Sequence, residues 1–111
     1  MSKLTLADLE KRVHERAKAS AAESYTRALI DKGVAHCAKK LGEEAAELIA
    51  ACADGDLPRA TEEVADLLYH ALVALRAAGG SLSDVQRVLA RRATPSIAAR
   101  PVAKKDGAKK K

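Results

Sequence analysis

Two acidic clusters near the middle of the chain hold the residues best suited to chemistry. Glu44 and Glu47 lie three residues apart with Glu43 beside them, and Glu63 and Asp66 repeat that spacing further along. Residues three apart lie on one side of a helix, so a hairpin of two helices can bring four carboxylates together. Carboxylates in one place repel each other unless a cation lies among them, and oxygen ligands suit Mg²⁺ or Mn²⁺. The spacing points to a divalent metal site, with a merely solvated acidic surface as the open alternative.

The connection between the clusters is short. The stretch from Asp54 to Pro58 has room only for a tight turn between antiparallel helices. The apolar spacing predicts one helix from about Val34 to Asp54. The next helix is expected to begin near Leu57, with Asp56 as its N-cap and proline tolerated in its first turn.

Both helices of this hairpin carry an apolar stripe that we expect to face the core. On the first helix the stripe consists of Val34, Ala38, Leu41, Ala45, Leu48 and Cys52. On the second helix it consists of Val64, Leu67, Leu68, Ala71, Leu75 and Ala78. His70 continues a polar stripe beside it, and Tyr69 and Val73 lie off the apolar stripe. A helix that is apolar on more than one side is buried on more than one side, which predicts a homodimer or a higher homo-oligomer.

Capping patterns predict the other helices. Residues 5–8 and 20–23 both read as capping boxes, and the helix opened by the second is expected to stop at Gly33. Residues 81–84 cap a last helix that Pro95 stops. The chain is therefore predicted to be all-α, with about five helices built on the antiparallel hairpin.

The domain limits and the charge follow from the C-terminal composition. We expect an all-α domain over residues 1–95 and a disordered basic tail over 96–111, which has no apolar period. Residues 100–111 carry six Lys or Arg and one Asp, which accounts for the net charge of +5. Since the preceding residues are neutral overall, a nucleic-acid partner is not expected outside that tail.

The cysteines and the hydropathy indicate in which cellular compartment the protein is expected. Cys37 and Cys52 would lie roughly 22 Å apart on one helix, at 1.5 Å per residue, which excludes a disulfide between them. We interpret both as reduced, small hydrophobic residues. No apolar stretch approaches the roughly 18 residues that a membrane span needs, and the N-terminus has no signal-peptide core. A cytoplasmic protein with no membrane partner is expected.

The acidic clusters and three sequence words resemble a known family. Glu44-x-x-Glu47 followed by Glu63-x-x-Asp66 is similar to the ExxE…ExxD signature of the MazG-like all-α nucleotide pyrophosphohydrolases. Within that superfamily the chain resembles the phosphoribosyl-ATP pyrophosphohydrolases. The matching words are SYT at residues 24–26, KKLGEEAAE at 39–47 and EVADLLYHALVAL at 63–75. The resemblance covers residues 4–93.

The resemblance implies hydrolysis of phosphoribosyl-ATP to phosphoribosyl-AMP and pyrophosphate, the second step of histidine biosynthesis. It implies Mg²⁺, or Mn²⁺, held by four carboxylates: Glu44, Glu47, Glu63 and Asp66. Glu43 or Glu47 is the expected general base toward the attacking water. The expected substrate contacts are Lys39, Lys40, Ser24, Tyr25, Thr26, His70, Arg91 and Arg92.

Three other functions remain open from the sequence. A house-cleaning nucleoside triphosphate pyrophosphatase of the same superfamily would use the same carboxylates with a different base pocket. A di-iron helix bundle requires Glu-x-x-His motifs, and neither Glu47 nor Glu63 is followed by a histidine three residues later. A non-enzymatic helical interaction module with a basic tail gives no reason for the paired acidic clusters.

Overall fold

Residues 3–94, the part of the chain that the computed structural model describes, form five α-helices and no strand. The helices are α1 (Leu6–Ala17), α2 (Tyr25–Asp31), α3 (Val34–Ala53), α4 (Leu57–Ala77) and α5 (Leu82–Ala93). This confirms the all-α class and the five helices. The predicted basic tail, residues 96–111, lies outside the described residues.

The α3–α4 hairpin turns where the sequence predicts. Gly55 adopts a φ of 69°, which glycine tolerates without a steric penalty. The Asp56 N–H then bonds the Ala51 carbonyl at 3.1 Å, which closes the end of α3. The Asp56 carboxylate in turn accepts from the Arg59 N–H at 3.1 Å and caps α4. One short turn thus ends α3 and starts α4, and holds the two helices antiparallel.

The capping box predicted at residues 20–23 is wrong. Those residues form a turn closed by a bond of 3.0 Å from the Glu23 N–H to the Ser20 carbonyl. The helix begins later, at Tyr25, because the hydroxyl of buried Ser24 caps it by accepting from the Arg27 N–H. The same hydroxyl donates to the Arg16 carbonyl at 2.8 Å. A contact with the end of α1 therefore fixes the start of α2. The capping boxes at residues 5–8 and 81–84 are confirmed.

The packed face of α3 differs from the predicted stripe. Three of the predicted core residues are exposed: Val34, Ala38 and Cys52. The buried positions are Cys37 and Ala51, and Glu44 lies between them on the same face at helical spacing. Alanine on several sides of α3 makes the apolar period ambiguous, so the period alone does not identify the inner face.

The packed face of α4 also differs from the prediction. Val64, Leu68 and Ala78 are exposed. By contrast His70 is buried, and Val73, which the sequence placed off the core, is 1% exposed. The helix is apolar nearly all round, so more than one face could have been the inner one. The observed choice turns Glu63 toward α3.

The described helices carry no candidate membrane span, because none of them is long and apolar enough. Cys37 and Cys52 are both free, as predicted. Cys37 is buried and its thiol donates to the Leu29 carbonyl at 3.2 Å, whereas Cys52 is exposed. The expectation that both cysteines act as packed hydrophobic residues is therefore wrong for Cys52.

Candidate active site

Three carboxylates meet across the α3–α4 hairpin. One oxygen from each of Glu44, Glu63 and Asp66 lies within 4.8 Å of the others. Glu44 comes from the middle of α3, and the other two come from successive turns of α4. We call these three residues the carboxylate cluster. The antiparallel hairpin is what brings residues 19 to 22 positions apart in the sequence into one group.

Glu63 is the least satisfied member of the cluster. Its Oε1 atom is buried and has no hydrogen-bond partner within residues 3–94. Burial raises the pKa of Glu63, and three neighbouring carboxylates raise it further: those of Glu47, Glu44 and Asp66. A carboxylate oxygen that is buried beside other carboxylates lacks the hydrogen-bond or charge partner that buried polar atoms normally have. A hard divalent cation would supply that pairing, since its preferred ligands are carboxylate oxygens. The donor set therefore fits Mg²⁺ or Mn²⁺.

The two carboxylates beside Glu44 are placed differently. Glu47 lies close enough to Glu63 to raise the pKa of that carboxyl, although it is not one of the three oxygens that converge. Glu43 instead forms an ion pair with Lys40 at 3.1 Å. The hydrogen bond and charge of Lys40 lower the pKa of Glu43, and Glu43 raises the pKa of Lys40. Glu43 is thus held by a lysine, outside the cluster.

The SYT word contributes one exposed side chain and two buried ones. Tyr25 is 58% exposed, while Ser24 and Thr26 are buried. The Ser24 hydroxyl caps α2, and the Thr26 hydroxyl is hydrogen-bonded to the hydroxyl of Tyr69 on α4. Both bonds fix the start of α2 in place. The buried positions favour a role in holding Tyr25, because neither hydroxyl is open to a ligand.

His70 links Tyr25 to α4. It is only 7% exposed, and its ring meets the Tyr25 ring edge-on at a centroid distance of 6.3 Å. The ring of Tyr69 meets it from another side at 5.0 Å. The sequence placed His70 on a polar stripe, but the structure places it in an aromatic contact one turn after Asp66. His70 therefore packs against the ring of the exposed Tyr25 and helps to hold it in position.

A cavity of about 220 Å³ opens beside Tyr25, between α2 and α3. Its lining includes Tyr25, Lys40 and four further residues: Ala28, Leu29, Lys32 and His36. We call it the basic cavity, because the charged side chains that line it are lysines and no carboxylate of residues 3–94 lines it. Neither Lys32 nor His36 was among the contacts predicted from the sequence. The spacing of four between His36, Lys40 and Glu44 was a signal that could have found the histidine.

The remaining predicted contacts belong to neither feature. Arg91 and Arg92 are exposed in the last turn of α5, and Lys39 is exposed on α3. Within residues 3–94 these side chains belong neither to the carboxylate cluster nor to the lining of the basic cavity. The structure thus brings Glu44, Glu63 and Asp66 together and places Tyr25 against His70, and neither arginine is a member of these groups.

A family model described as "Phosphoribosyl-ATP pyrophosphohydrolase" matches residues 6–93. This chain belongs to that family. A phosphoribosyl-ATP pyrophosphatase of Azorhizobium caulinodans is 51% identical over 94 residues, which are 85% of this chain and 86% of the relative. The enzyme of that name from Nitrobacter winogradskyi is 49% identical over 83% of this chain and 79% of its own length. One from Rhizobium rhizogenes is 49% identical over 86% and 92%.

Membership of the phosphoribosyl-ATP pyrophosphohydrolase family confirms the resemblance drawn from the sequence words. The match spans all five helices, including both sides of the carboxylate cluster and the residues around Tyr25. It stops before the basic tail.

Proposed function

We propose that this protein hydrolyses phosphoribosyl-ATP to phosphoribosyl-AMP and pyrophosphate in histidine biosynthesis, and that it does so in the cytoplasm. The observation that carries the proposal is the carboxylate cluster with its buried, unpartnered Glu63 oxygen. Relatives that are 44–51% identical are named phosphoribosyl-ATP pyrophosphatase. Four carboxylates cannot bind a polyphosphate directly, since both are anionic, so the activity needs a cation between them.

Glu44, Glu63 and Asp66 would hold Mg²⁺, with Mn²⁺ as a substitute, and Glu47 is the proposed fourth ligand. When bound, the ion would neutralise phosphate charge and lower the pKa of a water that attacks phosphorus. The chain's own part is to fix the carboxylates from two antiparallel helices before substrate arrives. Such preorganised charge is a large part of what a protein can contribute to phosphoryl chemistry.

Glu47 is the stronger candidate for the general base, and Glu43 the weaker. Glu47 lies beside Glu63 without being one of the three converging oxygens, so it can accept a proton from a water at the cluster. Glu43 is paired with Lys40, which lowers the pKa of Glu43 and makes it a weaker base.

The proposed substrate contacts come from α2, α3, α4 and α5. Tyr25 is exposed and can cover a nucleoside ring, with Ser24, Thr26 and His70 holding it in position. Lys40 and Lys39 lie close to Glu44 in the sequence and are proposed to meet phosphate oxygens. Arg91 and Arg92 are proposed as substrate contacts from the family resemblance alone. They could contact the substrate only where α5 lies next to the bound molecule.

We further propose that the protein is a homodimer or higher homo-oligomer. The two helices of the hairpin carry exposed apolar side chains: Ile49, Leu57, Val64 and Leu68. Ile49 is 69% and Leu57 73% exposed, and few large side chains are fully buried within the described residues. A small chain with a thin core gains stability by covering such side chains with a second copy. Light scattering should show an oligomer that Val64→Asp dissociates; a wild-type monomer at assay concentrations would contradict this.

The test of the proposed function is pyrophosphate release by the purified protein with Mg²⁺. Phosphoribosyl-ATP should release pyrophosphate, while ATP, GTP, CTP and UTP should release far less. Equal release from the ordinary triphosphates would replace the proposal with a house-cleaning pyrophosphatase. No release from any of them, in a folded sample, would contradict the enzymatic proposal.

A further inference from the structure

The basic cavity contains cations that the carboxylate cluster does not use. Lys32 lines it at the C-terminal end of α2, and within residues 3–94 this lysine forms no ion pair. Its neighbour Asp31 is engaged by Arg27, at 2.7 Å. The other lining lysine, Lys40, is held by Glu43. Lys32 is therefore the lining cation that remains available for an anionic ligand.

The cavity and the cluster lie along one line on α3. His36, Lys40 and Glu44 are spaced by four, so they project from the same side of the helix. At 1.5 Å per residue the line from His36 to Glu44 is about 12 Å long. Tyr25 lines the cavity and also meets His70, which lies one turn from Asp66. A single extended ligand could therefore reach from the cluster to the cavity.

The proposed substrate has charge at both ends. Its triphosphate suits the carboxylate cluster through a bridging cation, and a second phosphate sits on the ribose added to the adenine. That second phosphate would be repelled by carboxylates and attracted by a lysine without an acidic partner. The basic cavity offers such a lysine, an imidazole and a tyrosine, and no carboxylate.

We infer that Lys32, with His36 beside it, binds the phosphate of the added ribosyl group and so separates phosphoribosyl-ATP from ordinary nucleoside triphosphates. This inference rests on the proposed function and deepens it. It also places recognition of that phosphate on α2 and α3, whereas the sequence resemblance had placed arginines of α5 in the substrate site.

Binding of the product phosphoribosyl-AMP tests the proposed contact with Lys32 without catalytic turnover. The dissociation constants of phosphoribosyl-AMP and AMP would be measured by calorimetry for the wild-type protein, Lys32→Gln, Lys32→Arg and His36→Gln. The wild type should bind phosphoribosyl-AMP more tightly than AMP. Lys32→Gln should reduce that preference about tenfold while leaving AMP affinity unchanged, and Lys32→Arg should keep most of it. In steady state, Lys32→Gln should raise KM for phosphoribosyl-ATP with kcat within about twofold, the signature of lost uniform binding.

Two controls make the result decisive. Lys18→Gln removes an exposed lysine outside the cavity and changes the net charge by the same amount as Lys32→Gln. It should leave the preference for phosphoribosyl-AMP over AMP unchanged. Circular dichroism checks the fold of Lys32→Gln, whose side chain is exposed. The inference is overturned if Lys32→Gln keeps the full preference, if it weakens AMP equally, or if the double variant Arg91→Gln/Arg92→Gln loses the preference instead.

Pyrophosphate release from the same wild-type sample separates this inference from the proposed function. Release together with an unchanged preference in Lys32→Gln would refute only the role of the basic cavity. Absence of release would refute the function, whatever the binding ratio.

Discussion

The carboxylate cluster and the basic cavity share helix α3 but have opposite electrostatic character. Within residues 3–94 the cluster holds negative charges without a basic partner, and a buried Glu63 oxygen has no hydrogen-bond partner there. The cavity holds Lys32, a positive charge that the described residues likewise leave unpaired. Between them Lys40 and Glu43 neutralise each other. Charge is thus paired between the two regions and left unpaired within each of them, where ligands of opposite sign are expected.

The largest effect should follow from Glu63→Gln, which removes the central charge of the cluster. We expect pyrophosphate release from phosphoribosyl-ATP to fall at least about 10³-fold, because the amide cannot replace a carboxylate toward a hard cation. Glu62→Gln is the matched control, since it makes the same change at an exposed neighbour. Full activity in Glu63→Gln would remove this residue from the site.

The next largest effect should distinguish the two glutamates near Glu44, which are Glu43 and Glu47. Glu47→Gln should lower kcat by about 10²–10⁴-fold, the usual contribution of a general base. Glu43→Gln should cost much less, because Lys40 lowers the pKa of Glu43 and holds it outside the cluster. Single-turnover rates of both variants at saturating Mg²⁺ would decide. The reverse order would transfer the base role to Glu43.

In the absence of metal, the cluster should weaken the fold. The folded pKa of Glu63 is raised above its ordinary value, so the folded state takes up a proton before the unfolded state as pH falls. The instability from this carboxylate is therefore present at neutral pH and relieved on acidification through the raised pKa. With chelator present, Glu63→Gln should melt above the wild type at pH 7, and the gap should narrow toward pH 5. A lower melting temperature for the variant at pH 7 would contradict the charge repulsion.

The smallest effect concerns the side of α3 that faces away from both regions. Gly42 is mid-helix, and no atom of residues 3–94 outside the helix's own backbone lies within 4 Å of the position that a Cβ would take there. Gly42→Ala should therefore stabilise the protein by about 1 kcal/mol in chemical denaturation, with activity unchanged. Gly55→Ala is the contrasting variant, and should destabilise by about 1–2 kcal/mol because its φ is 69°. Loss of activity in Gly42→Ala would mean that another molecule's backbone approaches α3 at that point.

Much of the fold was predictable because its determinants are local. The Asp54-to-Pro58 turn, the cap at Asp56 and the stop at Gly33 each depend on a few adjacent residues, and the structure confirms them. The start of α2 was not predictable in this way, because Ser24 is held by the Arg16 carbonyl of another helix. Residues 20–23 match the sequence pattern of a capping box, but the helix begins at Tyr25 because the contact with Arg16 is made by Ser24.

The site was only partly predictable for the same reason. Spacing of three on each helix predicted one group of four carboxylates: Glu44, Glu47, Glu63 and Asp66. The structure brings together one oxygen from each of Glu44, Glu63 and Asp66, without Glu47. Which faces pack inward depends on how α3 and α4 meet, and alanine-rich, broadly apolar helices leave that undetermined. Hence Val64 and Val73 were assigned to the wrong sides. Lys32 was missed because the basic cavity forms only where α2 meets α3.

The most direct test of the carboxylate cluster is the binding of Mn²⁺, followed by electron paramagnetic resonance in a titration of the full-length protein. The wild type should bind the ion and release it to excess Mg²⁺. Glu63→Gln should bind at least about tenfold more weakly, while Glu62→Gln should match the wild type. Equal binding by all three proteins, or none by the wild type, would contradict a metal site at Glu44, Glu63 and Asp66.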